Sequence, residues 1–148
     1  NPKGTEKFLY KLEWMDRLND YCSKALASEE EIIVLGDFNV IPQYKDCKNP
    51  TQWMQDALFD YQVRAKFHNL LNLGYVDAVR ILDESNSIFT QWDYRDRAWA
   101  ENNGVRIDHI LLNPNAADRL EDSWIDSTLR GQAKPSDHVP VWVSLNEK

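Results

Sequence analysis

The sequence predicts an α/β fold, in which a mixed β-sheet carries helices on one face. Three observations support this class. Apolar residues recur at helical spacing early in the chain, a fully apolar run occupies residues 32–35, and short β-forming runs separated by turns fill the second half. Neither repeats nor a linker interrupt the sequence, so we expect one layered domain over residues 1–148.

The first element is predicted as an amphipathic helix, with Thr5 as its N-cap and Glu6 near its positive end. A strand at residues 32–35 follows, and its unbroken apolar composition is typical of a strand covered on both faces. After a loop that contains Pro42 and Pro50, a second helix is predicted over residues 51–73, with Gly74 at its C′ position. Residues 75–82 are compatible with either a short strand or a helical turn.

The second half is predicted to be mostly strand. The expected elements are a strand at 87–94, a polar loop at 95–104 with Trp99 exposed, a strand at 105–112, a helix or turn at 116–120, a strand near Trp124 and a last strand at 137–145. Helices on one side of the sheet leave its other face bare, so we expect a partner surface there.

Composition narrows the classes of function. The net charge of −7 argues against a non-specific polyanion binder, because phosphate contacts need local positive charge. It is compatible with a nucleic-acid enzyme whose acidic site is neutralised by a metal ion. The sequence contains neither a membrane-span pattern nor a signal-peptide pattern. Cys22 and Cys47 are expected to be reduced thiols of a cytoplasmic protein, with a disulfide as the less favoured alternative.

Asp37 and Asn39 follow the apolar strand directly, in "GDFN". If the extended backbone persists, side chains two residues apart point the same way and converge on one spot. A carboxylate and an amide there could bind Mg²⁺ or activate and orient a water molecule. The structural alternative is a turn after the strand, where Gly, Asp and Asn are all common.

Asp108 and the pair Asp137 and His138 form two further candidates. Asp108 lies in a strand with two largely apolar faces, so its carboxylate needs a partner. That partner is either Arg106 with backbone amides, or a histidine whose ring it orients. "KPSDHVPV" supplies a histidine at the entry to the last strand, although Asp137 could equally be a turn residue and His138 a solvated strand end.

Taken together, "GDFN", "RIDHIL" and "KPSDHVPV", in this order and each at a strand end, resemble the exonuclease III family of apurinic/apyrimidinic endonucleases. That family belongs to the endonuclease/exonuclease/phosphatase superfamily. Further matches are "WMDRL", "NLGYVDAVR" and "FTQWDYRDRAW", so the resemblance covers nearly all of the chain.

The resemblance implies Mg²⁺-dependent hydrolysis of DNA phosphodiesters, with Mn²⁺ as a substitute ion. By this analogy Asp37 activates water, Asn39 orients it or contacts the metal, and Asp108 holds the ring of His138. His138 contacts the scissile phosphate and the metal site, and Asp137 lies beside the metal. The implied partner is double-stranded DNA, either abasic or with 3′ ends.

The same resemblance implies a set of DNA contacts. Arg95, Arg97 and Trp99 belong to a loop that reaches the minor groove, Lys134 adds a phosphate contact, and Gln91 and Trp92 form the wall of a pocket for an abasic sugar. Several relatives place an aromatic residue at the position of Gln91, so the preference for abasic sites is less firmly implied than phosphodiester cleavage.

The family fold is a four-layer α/β-β/α sandwich, and this sequence resembles its C-terminal half. The family's N-terminal Asn, Glu and Tyr site residues have no counterpart here. We therefore expect the bare sheet face to meet the missing half or a second copy of the chain, and the chain alone to be poorly active. Two alternatives stay open: a superfamily phosphatase or phosphodiesterase acting on another substrate, and an inactive half-domain that serves as an interaction module.

Overall fold

The structure is a computed structural model that describes residues 2–147; Asn1 and Lys148, the ends of the predicted domain, lie outside the described residues. Within that range the helices are α1 (Glu6–Ala25), α2 (Pro50–Trp53), α3 (Tyr61–Asn72) and α4 (Pro114–Ala117). The strands are β1 (Ile33–Asp37), β2 (Val76–Asp77), β3 (Asp108–Leu112), β4 (Leu120–Ile125) and β5 (Val141–Leu145).

The strands form two sheets, one with the order β1-β3-β2 and one that pairs β4 with β5. The predicted α/β class is confirmed, but the single mixed sheet is not observed. All strand pairs of the described residues are antiparallel. The second sheet is separate because β5 packs the apolar side chains of Val141 and Val143 onto Ile110 and Leu112 of β3 instead of pairing with an edge of the first sheet.

Helix α1 begins and packs as its sequence predicts. The Thr5 hydroxyl accepts a hydrogen bond from the N–H of Phe8 at 3.3 Å, which satisfies one free amide of the first turn. The buried stripe of α1 packs with α3 against Phe38 and Leu111, on one face of the three-stranded sheet. This layer fixes α1 beneath the end of β1.

The second predicted helix, over residues 51–73, is wrong as a single element. It is divided into α2, a 3₁₀ turn at Ala57–Phe59, and α3. Asp56 accepts from the N–H of Leu58 at 2.8 Å and Asp60 accepts from the N–H of Gln62 at 2.9 Å. Because each carboxylate caps a new helical start, the chain turns twice where periodicity alone predicts continuity. Gly74 follows α3 with φ +110°, as predicted for its C′ residue.

The predicted strand at 87–94 is also wrong, although the segment is extended. The N–H of Thr90 donates to the main-chain oxygen of Val105, and its main-chain oxygen accepts from the N–H of Val139. The segment therefore forms isolated β-bridges to these two neighbouring segments and not a continuous strand. Of the two alternatives left open for residues 75–82, the structure contains the strand β2 over Val76–Asp77, and a turn follows it.

Strand β1 is covered on one face only, so the expected burial of both faces is wrong. Leu35 is 66% exposed and Ile33 is 40% exposed, whereas Val34 packs against the helical layer. We call the surface around Ile33 and Leu35 the open face. It matches the bare sheet face that the sequence predicts.

Both thiols, of Cys22 and Cys47, are free, as predicted, and both are buried. Within residues 2–147, no helix is both long enough and apolar enough to cross a lipid bilayer.

Candidate active site

The ends of β1 and β3 bring two of the predicted site residues together. Asp37 lies directly opposite Asp108 in the antiparallel register, so the two side chains point to the same face of the sheet. His138, at the entry to β5, joins them through its Nδ1, which lies 2.8 Å from Asp108 Oδ2. One ligand atom from each of the three residues lies within 4.8 Å of the other two. Three segments distant in sequence thus form one cluster.

Of the two partners left open for Asp108, the structure contains the histidine. Arg106 is committed elsewhere: its Nε lies 2.7 Å from Asp46 and its guanidinium NH1 lies 2.8 Å from Asp77. Because Arg106 is held by Asp46 and Asp77, the Asp108 carboxylate is instead engaged by the imidazole of His138.

Asn39 does not continue the extended backbone. It has φ 51°, and its N–H donates to Asp37 Oδ1 at 2.8 Å, which closes a turn of the kind the structural alternative predicts. The ammonium of Lys11, in α1, donates to the main-chain oxygen of Asn39. Burial raises the pKa of the Asp37 carboxyl above its ordinary value, and the charge of Asp108 adds to this rise, while the hydrogen bond from Asn39 opposes it.

A cleft of about 590 Å³ opens beside the cluster. Its lining includes Asn39, Gln91, Asp93, Arg95, Asp137 and His138. The Asp137 carboxylate accepts a hydrogen bond from Gln91 Nε2 at 3.2 Å and lies outside the cluster of three ligand atoms. Its role as a metal ligand therefore stays a prediction.

The cationic residues predicted to contact DNA are exposed, and Arg95 lines this cleft. Arg95 forms an exposed pair with Asp93 at 2.7 Å, and Arg97 and Lys134 are both exposed with left-handed backbone conformations. Lys134 and His138 line the same neighbouring pocket. The positions suit contacts to a polyanion, and the contacts themselves stay a prediction.

Two tryptophans are less accessible than expected. Trp92 is 2% exposed and its Nε1 donates to Asn102 at 3.0 Å, so it supports the cleft from beneath instead of lining it. Trp99, predicted to be exposed, is half-buried. Its ring packs edge-to-face on Trp92, with the ring centroids 5.0 Å apart. The loop folds back onto itself, and the N–H of Asn103 reaches the oxygen of Ala98 at 2.7 Å.

Sequence reasoning missed two residues that contact the segments of the site, Thr90 and Lys11. The hydroxyl of Thr90 is fully buried and accepts from the N–H groups of Ile107 and Asp108, at 3.0 and 3.2 Å. Nothing in the alternating segment around Thr90 marks it. Lys11, however, falls three residues after Phe8, within the buried stripe of α1, and a cation at that spacing is a usable signal.

A buried ionic network surrounds Arg106, two residues before Asp108. It joins Arg106, Asp46 and Asp77, and Arg80 donates to Asp46 as well. Nδ1 of His109 accepts a hydrogen bond from Arg106 NH1 at 3.1 Å, so this nitrogen carries no hydrogen. Nε2 is therefore the protonated nitrogen, and it donates to the main-chain oxygen of Val40 at 2.9 Å. Burial lowers the pKa of His109 to about 4, and the positive charge of Arg106 acts in the same direction, so the ring is neutral.

Comparisons with known proteins identify the family to which the chain belongs. A profile of the endonuclease/exonuclease/phosphatase family matches residues 1–138. The chain is 32% identical over 146 residues to exodeoxyribonuclease III of Haemophilus influenzae, a match that covers 94% of this chain and 55% of the relative. An AP endonuclease from Archaeoglobus fulgidus superposes with a TM-score of 0.92 at 33% identity, covering 99% of this chain and 57% of the other.

A second solved structure, the 3′ phosphatase NExo from Neisseria bound to a product DNA hairpin, also superposes with a TM-score of 0.92 at 33% identity. That match covers 97% of this chain and 56% of the other. The chain thus spans about half the length of the curated relatives it matches. With its fold, its clustered site residues and a profile match over most of its length, the chain belongs to the endonuclease/exonuclease/phosphatase family.

Proposed function

We propose that the chain carries the water-activating and phosphate-binding residues of a divalent-cation-dependent DNA repair nuclease. The reaction is hydrolysis of a phosphodiester, at abasic sites and from 3′ ends. The observation that carries this proposal is the cluster of Asp37, Asp108 and His138 at one edge of the sheet. The names of the similar proteins, exodeoxyribonuclease III and AP endonuclease, support the same reaction class.

The hydrogen bonds of the cluster suggest a role for each side chain. Asp37 uses Oδ1 to hold the turn, which leaves its other oxygen to take a proton from the attacking water. Asp108 engages Nδ1 of His138, which fixes the ring and leaves Nε2 for a phosphoryl oxygen. Asn39, at the rim of the cleft, orients the water or the phosphate.

The donor set fits a divalent cation. Asp37 and Asn39 would hold it through oxygen, as Mg²⁺ and Mn²⁺ prefer, with Asp137 and His138 beside it. When bound, the cation neutralises charge that develops on the phosphoryl oxygens. Its charge would also offset the acidic lining of the cleft, to which Asp93 and Asp137 contribute.

The exposed cations beside the cleft supply the DNA contacts in this proposal. Arg95, Arg97 and Lys134 bind backbone phosphates of a duplex, and Gln91 lines the pocket for the extruded sugar. Trp92 and Trp99 act by supporting the loop that carries Arg95 and Arg97, since one of these rings is buried and the other half-buried.

The open face around Ile33 and Leu35 belongs to the same proposal. We expect it to be covered either by the remaining part of the family fold or by a second copy of this chain, because adjacent exposed aliphatic side chains favour burial. In this proposal the isolated chain is a slow nuclease, because it spans only about half the length of the relatives it matches.

The test is cleavage of a fluorescent duplex with one abasic site, with Mg²⁺ or with EDTA. We expect slow Mg²⁺-dependent nicking that Asp37→Asn and His138→Asn each reduce by about 10²-fold or more, as loss of an acid–base or phosphate-binding group does. Asp122→Asn, an exposed carboxylate change on β4, is the matched control. Nicking that survives both site variants would refute the proposal, as would exclusive hydrolysis of a phospholipid headgroup offered in parallel.

A further inference from the structure

Lys11 differs from the other lysines of α1. Lys7 and Lys24 are exposed, whereas Lys11 is only 6% exposed and belongs to the buried stripe of the helix. Burial lowers the pKa of its ammonium to about 8, although the carboxylates of Asp37, Asp56 and Asp60 partly oppose this. An ammonium group is costly to remove from water, so its presence here calls for a function.

The hydrogen bond of Lys11 points to that function. Its ammonium donates to the main-chain oxygen of Asn39, and the N–H of Asn39 donates to Asp37 Oδ1 at 2.8 Å. Both main-chain polar groups of Asn39 are thus fixed, one from the helix and one from the carboxylate. Asn39 holds φ 51°, a left-handed conformation that Asn tolerates better than most non-glycine residues, and these two contacts select it.

The consequence reaches the cluster at the strand ends. Asp37 is the residue that both closes this turn and lies beside Asp108 and His138. We propose that Lys11 is a positioning residue, which holds the turn from Asp37 to Asn39 and thereby sets where the Asp37 carboxylate lies relative to His138. The expected effect of Lys11 on metal binding rests on the proposed function. Its effect on the turn does not.

A positioning lysine and a merely structural lysine predict different changes in stability. If Lys11 served the fold, Lys11→Met would lower the unfolding temperature. Because burial disfavours the charged form, we expect Lys11→Met to leave that temperature unchanged or to raise it, while the turn loosens and metal affinity falls.

The experiment uses the full chain, labelled with ¹⁵N, as wild type, Lys11→Met, Lys11→Arg and the exposed control Lys7→Met. We expect Lys11→Met to speed hydrogen exchange of the Asn39 amide about tenfold and to weaken Mg²⁺ affinity about tenfold, as loss of a supporting contact around a metal site does. Lys11→Arg keeps a cationic donor and should restore part of both. Lys7→Met should match wild type.

Two results would overturn the inference. One is an Asn39 amide in Lys11→Met that exchanges as slowly as in Lys7→Met. The other is a fall in unfolding temperature with unaltered Mg²⁺ affinity. If the wild-type chain binds no Mg²⁺ at all, the proposed function fails, while exchange of the Asn39 amide still decides whether Lys11 holds the turn.

Discussion

Thr90 shows how a single buried hydroxyl organises the site. Its side-chain oxygen accepts from the amides of Ile107 and Asp108, and its main-chain oxygen accepts from Val139 at 2.9 Å. One residue therefore joins the segment that carries Asp108 to the segment that carries His138. The pair of side chains depends on this junction, because neither β3 nor β5 alone fixes their separation.

The first prediction concerns this hydroxyl. Thr90→Val keeps the shape but removes the acceptor, which leaves two amide groups without their side-chain partner, at a cost of about 1–3 kcal/mol for a buried group. Thr90→Ser keeps the oxygen and should cost less. Urea unfolding of the two variants measures the difference. Equal destabilisation of both would show that the methyl group matters and the hydroxyl does not.

The second prediction concerns the neutral ring of His109. Its pKa of about 4 lies below the ordinary 6.5, so the unfolded chain binds more protons than the native chain between these values. The free energy of unfolding therefore falls as the pH falls through this window, by up to about 3 kcal/mol from this residue. The ¹⁵N chemical shifts of the His109 ring, measured by NMR, should show that the neutral imidazole protonated at Nε2 persists below pH 6. A titration midpoint near 6.5 would contradict this.

At the scale of elements, the buried support of the cleft depends on a close approach between two loops. Gly104 lies so near Trp92 that an added Cβ would sit 2.6 Å from the indole Nε1 and 2.7 Å from the Cβ of Phe89. Trp92 cannot move away freely, because its N–H groups are bound to Asn102 and to the main chain of Asp137.

The third prediction follows from this contact. Gly104→Ala should destabilise the chain by about 1–3 kcal/mol, since overpacking forces neighbouring side chains and backbone to shift. Gly131→Ala is the control, because its Cβ would meet only ordinary contacts with Trp99 at 3.7 Å or more. Thermal unfolding of both variants gives the comparison. A Gly104→Ala melting temperature equal to that of Gly131→Ala would mean that the loop yields without cost.

The elements also show which features local sequence specifies. Helix α1 could be predicted because its stripe and its Thr5 cap agree. The break before α3 could not, because Asp56 and Asp60 have the same appearance in sequence whether they cap a helix or lie on its surface. The extended segment at Thr90 alternates like a strand, but its partners are chosen by tertiary contacts.

The candidate site divides in a similar way. Asp37, Asp108 and His138 could be proposed because their motifs stand at strand ends and resemble those of a known family. The sequence leaves a turn at Asn39 open as one of two alternatives, and the structure contains it. The hydrogen bond from Lys11 could not be predicted, because Lys11 lies in a helix 28 positions earlier in the chain. Long-range hydrogen bonds of this kind leave little trace in local periodicity.

At the scale of the whole molecule, coverage of the first sheet is unequal. One face packs against α1 and α3, and part of the other meets β5, whereas the open face around Ile33 and Leu35 has solvent beside it. The cluster of Asp37, Asp108 and His138 lies at the end of β1, the strand that carries this open face. Whatever covers Leu35 is therefore close enough to influence the order of Asp37, two residues further along the strand.

The last prediction tests the open face. Burying an aliphatic side chain of this size contributes about 1.5–3 kcal/mol, so pairing of open faces should drive concentration-dependent self-association of the isolated chain. Leu35→Arg should weaken that association by about tenfold or more, since a charge would have to be buried at the contact. Leu9→Arg, an equally exposed change on α1, should not. Sedimentation velocity over a concentration series measures all three proteins. If the two arginine variants behave alike, the open face is not the surface through which copies of the chain meet, and its natural cover must be a different polypeptide segment.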